Sequence, residues 1–504
     1  MRHQKIACWA GWLALLVLSF ASRAEAPNIV YLMTDDQRAD AVGFMGNTLI
    51  QTPNLDTLAG NGVVFDNAFV PTAICMANRA SVLTGQYAAR HDLWSFGEDL
   101  TAHQLNNSYI GQLDQAGYYT GFVGKWGVGN PQADAVNNII DFNKGFSGQG
   151  SYFTTRDDGS PVHLTQLIGE QASSFIGQAA GQTSPFALSV SFKSPHAQDG
   201  LGAGEFLQYN PALGGLYADD TIPDAVLSDQ AFFNAQPEFI RNSLNRSRWQ
   251  DRYVTGERYQ ESVKGYYRLM TGVDNAVGEI MRALRDPDGD GDTSDSVADN
   301  TIVIFTSDHG LYLGDRGLAG KWLAHEQSMK VPLVIHDPRH TDGHGTRRDE
   351  LALSIDMAAT ILEYAGVEAP EAMQGSSLVL LVEGRDTVWR EEFFYEHRFD
   401  HSSIPESEAV RTERWKYIKY IDHDYEELYD LDADPIEAVN LAEEPAYAAV
   451  LGEMRFKLDA WRSLTRDSDT LPNAVAVPEP NSLLLVCFTA AAATVVRRGR
   501  SRWC

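Results

Sequence analysis

The chain has 504 residues, of which 44% are hydrophobic, 10% aromatic and 21% charged. This length predicts two or three domains, and the composition excludes a small binding module, a disordered chain and a low-complexity chain. The formal net charge of -28 excludes nucleic acid as a partner, because nucleic-acid binding depends on neutralising phosphates with Lys and Arg. An anionic substrate would therefore need a local cluster of cations or a metal ion.

Residues 1–24 have the layout of a secretory signal peptide. Arg2 and Lys5 precede an apolar run over 6–20, and small residues follow as far as Ala24. The apolar run is short for a membrane-spanning helix. We expect signal peptidase to cleave after Ala24 and the body of the protein to be exported.

Short apolar runs alternate with helix-like segments through most of the chain. The predicted strands are 28–33, 63–69, 118–123, 186–192, 301–306 and 331–335, and the predicted helices are 258–284 and 353–364. This alternation favours an α/β domain with a mainly parallel sheet. We predict that the catalytic domain spans 27–384.

Polar residues directly follow two of these strands. Asp35 and Asp36 follow the first strand, and Asp308 and His309 follow a later one. Each pair alone is also typical of a turn or a helix cap. Ligands bind beyond the carboxyl ends of parallel strands, and three carboxylates with an imidazole suit a divalent cation such as Ca²⁺ or Mg²⁺.

Cysteine usage isolates one residue. Cys8 lies in the predicted signal peptide and Cys487 and Cys504 lie near the C-terminus, so the predicted body keeps only Cys75. A lone cysteine is either an inert buried thiol or a group used in chemistry. Without further context the inert thiol is the favoured interpretation, because free cysteine packs well as a small apolar side chain. The residues after it predict a short helix that ends at Gly85, with Cys75 at the helix N-terminus, where anions are favoured.

The later part of the chain has a different pattern. Strand-like pieces at 392–395 and 416–420 and a helix-like tail at 446–464 predict a smaller α+β domain over 385–472. Residues 197–245 are rich in Gly, Pro, Asn and Asp, and predict a long loop region of the kind in which substrate selection often resides.

The acidic run 286–292 begins like an EF-hand loop. Val297, however, stands where that loop needs a bidentate glutamate, so a solvated acidic loop is the favoured interpretation.

The C-terminal segment 477–504 is a second targeting signal. Val477 and a Pro-Glu-Pro tripeptide precede an apolar stretch over 483–496, and four arginines end the chain. This order resembles the PEP-CTERM sorting signal of Gram-negative bacteria, which an exosortase-like membrane protease processes. The alternative is an ordinary membrane anchor, and both place the body outside the cytoplasm.

Taken together, the motifs resemble the type I sulfatases of the alkaline phosphatase superfamily over nearly the whole predicted mature chain. The motifs that carry the resemblance, in chain order, are Asn28 to Asp36, Cys75 to Gly85, Gly124 to Gly127, Pro185 to His196, Thr306 to Gly310, Lys321, Val331-Pro332, Arg411 to Tyr417 and Glu427 to Leu431.

The resemblance implies a fold and a reaction. The fold is an alkaline-phosphatase-like sandwich with a central, mainly parallel sheet flanked by helices. In the family, the signature cysteine is oxidised to Cα-formylglycine by a formylglycine-generating enzyme or a radical-type sulfatase-maturing enzyme. The hydrated aldehyde attacks sulfur and releases the alcohol, and its second hydroxyl then expels sulfate.

The resemblance also implies a role for each site residue. Asp35, Asp36, Asp308 and His309, together with the modified Cys75, would hold Ca²⁺, with Mg²⁺ as the alternative. Arg79 would orient the formylglycine hydrate, and Lys125 and Lys321 would bind sulfate oxygens. His196 would be the general acid toward the leaving alcohol.

Four positions depart from the family pattern. Ala77 and Asn78 stand where relatives usually have Pro and Ser, and Gly127 stands where relatives have a His that deprotonates the hydrate. Arg316 replaces a His and would add positive charge near the pocket if it points inward. His397 fits a substrate contact or a structural role equally well.

The sequence thus predicts an exported sulfuric ester hydrolase in the periplasm, on the cell surface or outside a Gram-negative cell. The long loops and the exported destination favour a sulfated carbohydrate as substrate. One alternative is a phosphoric or phosphonic ester hydrolase of the same superfamily. The other, which Gly127 motivates, is a sulfated-glycan binder without catalysis.

Overall fold

The computed structural model describes residues 26–201 and 205–466. The predicted signals at 1–24 and 477–504 lie outside these residues and stay predictions. Within the described ranges, no helix has the length and apolar character that crossing a bilayer requires.

The strands, in chain order, are β1 Asn28–Asp35, β2 Val63–Phe65, β3 Ala68–Phe69, β4 Tyr119–Lys125, β5 Phe142–Phe146, β6 Phe153–Thr155, β7 Pro161–His163, β8 Phe186–Pro195, β9 Thr301–Ser307, β10 Tyr312–Leu313, β11 Ala319–Gly320, β12 Leu333–His336, β13 Thr346–Arg348, β14 Ala352–Leu353, β15 Glu392–His397, β16 Ser407–Thr412, β17 Trp415–Tyr420 and β18 Tyr425–Asp430.

The helices are α1 Pro53–Gly60, α2 Cys75–Thr84, α3 Ala88–His91, α4 Ala102–Asn106, α5 Tyr109–Gln115, α6 Asp134–Asn137, α7 Leu164–Ala180, α8 Gln230–Ala235, α9 Glu238–Arg241, α10 Leu244–Arg252, α11 Gly256–Arg285, α12 Glu326–Met329, α13 Asp356–Ala365, α14 Val379–Val382 and α15 Ala448–Arg466.

An eight-stranded sheet forms the centre of the molecule, in the order β13-β2-β12-β9-β1-β8-β4-β5. Strand β12 runs antiparallel to β9 and β2, and the other neighbouring pairs are parallel. The predicted mainly parallel α/β sheet is confirmed. Because β9, β1, β8 and β4 are parallel neighbours, their carboxyl ends meet at one edge of the sheet.

Strand β1 shows why this sheet is covered on both faces. Its side chains alternate, so that Val30 and Leu32 pack against α7 and α11 on one face. Tyr31 and Met33 pack on the opposite face, in the core that includes α2, α5 and α13. A continuous apolar run is therefore what a doubly covered parallel strand requires.

The C-terminal part is a separate four-stranded antiparallel sheet, β15-β16-β17-β18, covered by α15. This confirms a smaller α+β part, although the predicted boundaries at 385 and 472 stay predictions. Strands β16 and β18 were not predicted, because their charged residues interrupt the apolar pattern.

Two other segments differ from the prediction. The apolar run 63–69 forms two strands, β2 and β3, which belong to different sheets. The chain turns between these strands because the backbone N–H of Asp66 donates to the carbonyl of Arg348 and the side-chain amide of Asn67 donates to the carbonyl of Asp349. The region 197–245 is not only loop, since it contains the short helices α8 and α9 and the start of α10.

A buried ion-pair network joins the two sheets. Lys416 of β17 is fully buried, and its Nζ lies 2.6 Å from Glu326 and 2.7 Å from Glu437. Burial alone would raise the pKa of the Glu326 carboxyl, but Lys416 and Arg411 lower this pKa to about 2. The network thus stabilises the fold fully above the ordinary pKa of 4.5, and this contribution is lost as the pH falls toward 2.

We predict that Lys416→Met destabilises the protein by about 3–5 kcal/mol, because it leaves the buried carboxylate of Glu437 without its cation and Glu326 with Arg411 alone. Chemical denaturation at neutral pH measures this change. Lys419→Met is the matched control, since Lys419 is less buried on the same strand and forms no ion pair among the described residues. An equal effect of the two substitutions would show that the network does not stabilise the interface.

Candidate active site

The carboxyl edge of the sheet brings the predicted acidic residues together. Asp35 ends β1, Asp36 follows it, and Asp308 follows the neighbouring strand β9. The backbone N–H of Asp36 donates to Asp308 Oδ1 at 3.1 Å. Asp36 has a φ of 66°, and the hydroxyl of Tyr266 holds its carbonyl at 2.7 Å. This left-handed residue turns the two carboxylates toward the same space.

Cys75 faces these carboxylates from the start of α2. Ile74 is extended, Cys75 is the first helical residue, and Gly85 ends the helix with a φ of 65°, as predicted. The helix is buried throughout, so the thiol is in the interior and near the positive end of the helix dipole. The thiol donates to Asp35 Oδ1 at 3.4 Å.

Four of these side chains form a cluster that suits a metal ion. Ligand atoms of Asp35, Asp36, Cys75 and His309 lie within 4.8 Å of one another, and all four residues are buried. His309 Nδ1 donates to the carbonyl of Gly310 at 3.0 Å, which leaves the lone pair of Nε2 facing the cluster. With Asp308 beside them, three carboxylates make the set rich in oxygen donors, which Ca²⁺ and Mg²⁺ prefer. Asp308 lies at the edge of this cluster.

Three cations balance the three carboxylates. Arg79 Nε donates a hydrogen bond to Asp308 Oδ2 at 3.1 Å. Arg79 Nη2 lies 3.3 Å from Asp35 Oδ2 and forms an ion pair with it, but not a hydrogen bond. Lys321 Nζ lies 2.6 Å from Asp36 Oδ1 and 2.9 Å from Cys75 Sγ. The remaining cation, Lys125, pairs with Asp35.

These contacts fix the charge state of the site. Burial opposes ionisation of Asp35, but Lys125, His196 and Arg79 hold its pKa well below the usual value. The pKa of Asp36 is also lowered, chiefly by Lys321. Burial raises the pKa of the Cys75 thiol to about 12 and lowers the pKa of His309. At neutral pH the site therefore has ionised carboxylates, a neutral imidazole and a protonated thiol.

His196 reaches the site from the end of β8. Its Nε2 lies 3.5 Å from Asp36 Oδ2, and its Nδ1 donates to the carbonyl of Ala197 at 2.6 Å. Tyr152 donates its hydroxyl to the carbonyl of His196 at 2.7 Å. Desolvation lowers the pKa of His196 to about 4, although Asp36 opposes this change.

The structure thus brings all nine predicted site residues into one buried cluster. It also shows three supporting residues that the sequence analysis missed. Gln149 accepts from Lys125 Nζ at 2.9 Å, Ser191 accepts from Arg79, and Asn78 donates to the carbonyl of Asp308 at 2.5 Å. Asn78 had been noticed only as a departure from the family pattern, and nothing near Gln149 in the sequence marks it.

Gly127 has a clear physical role in this chain. It adopts a φ of 78°, and a Cβ added there would overlap Arg79 Cδ. The side chain of Arg79 therefore occupies the space into which a residue at this position would point. Glycine is the residue that permits both the backbone conformation and this close approach.

Two other predicted candidates lie elsewhere. Arg316 points toward the C-terminal sheet, where its Nη1 donates to the carbonyl of Glu437 at 2.8 Å and its Nη2 donates to Tyr429 at 3.2 Å. His397 is buried, and both its ring nitrogens lack a hydrogen-bond partner among the described residues.

The acidic loop brings carboxylates of Asp286, Asp288 and Asp290 within 4.8 Å of one another. Several of them accept backbone N–H groups, as a solvated turn does.

The fold and the cluster together define a buried centre of carboxylates, cations and imidazole that could hold a metal ion. The sequence profile of the Sulfatase family matches residues 27–367, and that of the C-terminal part of N-sulphoglucosamine sulphohydrolase matches 314–463. The chain belongs to the Sulfatase family, of the alkaline phosphatase superfamily, and the predicted enzyme class is confirmed.

Individual proteins are similar over most of their length. An N-acetylglucosamine-6-O-sulfatase of Bacteroides thetaiotaomicron is 28% identical, covering 91% of this chain and 91% of that protein. A structure in complex with D-glucosamine-2-N,6-O-disulfate has a TM-score of 0.74 at 24% identity and covers 88% of this chain and 99% of that one. A phosphonate monoester hydrolase of Agrobacterium radiobacter has a TM-score of 0.70 at 23% identity, and the match covers 87% of this chain and 96% of that one. Both solved structures have the same fold as this chain.

We predict that Gly127→His lowers kcat at least tenfold and does not improve the enzyme. The new Cβ would displace Arg79 and strain the backbone. Gly127→Ala should lower kcat in the same direction, because it adds the Cβ alone. Steady-state sulfate release from an aryl sulfate checks both, and a His variant that turns over faster would contradict the steric explanation.

Proposed function

We propose that the protein is an exported, formylglycine-dependent sulfatase that hydrolyses sulfate esters of a carbohydrate. The observation that carries this proposal is the position of Cys75. Its Sγ lies in contact with Lys321 and within the carboxylate and imidazole cluster, at the start of a buried helix.

An unmodified thiol is poorly suited to act here. Because the pKa of Cys75 is raised to about 12, the thiol is protonated at neutral pH, whereas the thiolate is the nucleophilic form. Formylglycine at this position would supply a hydrated aldehyde whose oxygen attacks sulfur. The same contacts from Lys321 and Asp35 would then act on oxygen in place of sulfur.

The three cations bind and orient the reacting groups. Lys321 contacts Cys75, and Lys125 pairs with Asp35, which Cys75 also contacts, so a sulfate held against Cys75 would lie near both ammonium groups. These ammonium groups offset the negative charge that develops on sulfate oxygens. Arg79 is fixed by Asp308 and by the carbonyl of Lys125, at 3.0 Å, and keeps the helix start in place.

A divalent ion fits the cluster and would be held by Asp35, Asp36, His309 and the modified Cys75, with Asp308 beside them. When bound, it would supply Lewis-acid polarisation of a sulfate oxygen. The depressed pKa values of Asp35 and Asp36 keep both carboxylates ionised, which is the form that a metal ion requires.

His196 supplies the proton for the leaving alcohol. Its Nδ1 hydrogen is committed to the carbonyl of Ala197, so only Nε2 can deliver a proton toward the substrate. Nε2 lies 3.5 Å from Asp36 Oδ2. Because burial lowers the pKa of His196 to about 4, Nε2 is unprotonated at neutral pH, and the role of general acid requires the bound anionic ester to favour the imidazolium.

A carbohydrate substrate is supported by the B. thetaiotaomicron relative, whose name specifies an N-acetylglucosamine 6-sulfate substrate. Export is supported by the two terminal segments and by a described body whose single cysteine is Cys75. On this proposal, signal peptidase and an exosortase-like protease process the ends, and a maturing enzyme oxidises Cys75.

We predict that peptide mass spectrometry of protein from its native producer shows the cysteine-to-formylglycine mass change at Cys75. The same peptide map should show a chain that begins after Ala24. Cys75→Ala should abolish sulfate release, by at least a thousandfold in kcat, with unchanged unfolding because Ala packs at this buried position. Full activity in that variant, or an unmodified thiol in active protein, would disprove the mechanism.

The second candidate, a phosphoric or phosphonic ester hydrolase, uses the same tetrahedral anion pocket, since Lys125, Lys321 and the metal ligands do not distinguish sulfur from phosphorus. Rates on matched aryl sulfate, aryl phosphate and phenyl phosphonate esters separate the candidates. We expect the sulfate ester to have the highest kcat/KM. The glycan binder without catalysis would bind sulfated saccharide and release no sulfate in fully modified protein.

We predict that His196→Gln slows hydrolysis of a sugar sulfate by about 100- to 10,000-fold and slows a nitrophenyl sulfate far less, because only the sugar alcohol needs a proton as it leaves. The steepness of log kcat against leaving-group pKa measures this difference. An equal loss on both substrates would indicate that His196 only supports the fold.

A further inference from the structure

Helix α10 is fixed to the segment that carries Lys321. Asn245 is fully buried, and its side-chain amide donates to the carbonyls of Ala319 and Lys321 at 3.0 and 2.8 Å. Ser243 caps the helix by accepting from the N–H of Arg246. The outer turns of α10 therefore keep a constant position relative to the reaction centre.

Arg248 and Arg252 lie one turn apart on this helix, and each guanidinium lies over an aromatic ring. Arg248 is 4.8 Å from the ring centre of Trp322, the residue after Lys321, and Arg252 is 5.1 Å from that of Phe206. A Cβ at Gly320 would lie 3.6 Å from Arg248 Nη1, which places this guanidinium beside the Lys321 segment. Aromatic stacking orients the guanidinium planes.

The charges of this pair are not neutralised by the protein. Within 26–201 and 205–466, neither guanidinium forms a hydrogen bond or has a carboxylate within 4.0 Å. Asp251 and Asp199 are the nearby acids, and both are exposed. Burial and the neighbouring Arg252 lower the pKa of Arg248, whereas Asp199, Asp36 and Cys75 oppose this change.

Such an arrangement is unfavourable without a ligand. Like charges one turn apart on a helix repel each other, and partial burial increases the cost of charge. The other buried cations of the site each have a carboxylate partner, whereas these two arginines have only aromatic rings. In a chain with a net charge of -28, an unneutralised arginine pair of which one member stacks on the residue after Lys321 indicates an anion site.

We propose that Arg248 and Arg252 form a second anion-binding subsite that holds a sulfate or carboxylate group of the substrate other than the ester that is hydrolysed. This inference rests on the proposed function and adds to it the substrate class, a saccharide with at least two anionic groups. A guanidinium binds either group through paired N–H donors. The second group can be on the same sugar as a sulfate or on a neighbouring uronic acid.

Calorimetric binding to full-length Cys75→Ala protein tests the subsite without turnover. The probes are glucosamine 6-O-sulfate, glucosamine 2-N,6-O-disulfate and a disaccharide of glucosamine 6-O-sulfate with a uronic acid. We expect at least one of the two probes with a second anion to bind about tenfold more tightly than the monosulfate. The tighter of these two probes identifies the second group as sulfate or carboxylate.

Arg248→Gln, alone and with Arg252→Gln, should remove this preference. Arg282→Gln is the matched control, because Arg282 is an exposed arginine near the end of α11, at the opposite edge of the sheet, and its replacement should keep the preference. Three results would overturn the subsite. The Cys75→Ala protein could bind all three probes equally, the double variant could keep the tighter binding of the probes with a second anion, or the substitutions could weaken the binding of all three probes equally. If the protein without substitutions fails to release sulfate, the proposed function is overturned. The binding experiment would still show whether the subsite exists, because it does not require turnover.

Discussion

The structure depends on a buried balance of charge at the carboxyl edge of the central sheet. Three carboxylates, Asp35, Asp36 and Asp308, meet three cations, Arg79, Lys125 and Lys321, and all six side chains are buried. Removing any one partner would leave a buried charge, which costs several kcal/mol. The elements that supply these residues are consequently held in fixed register by parallel pairing and by buried hydrogen bonds.

This balance also explains what the site can bind. Without a ligand, the six charges cancel, and the depressed pKa values of Asp35 and Asp36 keep the carboxylates ionised. A divalent cation would leave the site with excess positive charge, which favours an anionic ester. On the proposals above, the acidic composition of the chain would not prevent recognition of an anion, since the metal-loaded pocket and the arginines of α10 would create a local field of the opposite sign.

Sequence reasoning was most successful where a motif is short and local. The strand that ends at Asp35, the helix from Cys75 to Gly85 and the parallel sheet follow from apolar runs and from glycine as a helix terminator. Gln149 and Ser191 could not be predicted, because their roles depend on contacts with Lys125 and Arg79 from distant parts of the chain. The division of 63–69 between two sheets was also missed, because it depends on tertiary contacts of Asp66 and Asn67.

The sequence by itself determined the fold class, and its resemblance to the family determined the enzyme class and the nine clustered residues. Local patterns at strand ends and at a helix start also mark Asp35, Asp36, Asp308, His309 and Cys75, whereas Lys125, Lys321 and His196 were identified only by the family motifs that contain them. Only the tertiary structure decided that Gly127 makes room for Arg79, that Arg316 serves the interface between the sheets, and that Arg248 stands beside Lys321. These are contacts between segments far apart in the chain. Their geometry is set by how the helices pack on the sheet, which no local pattern of residues specifies.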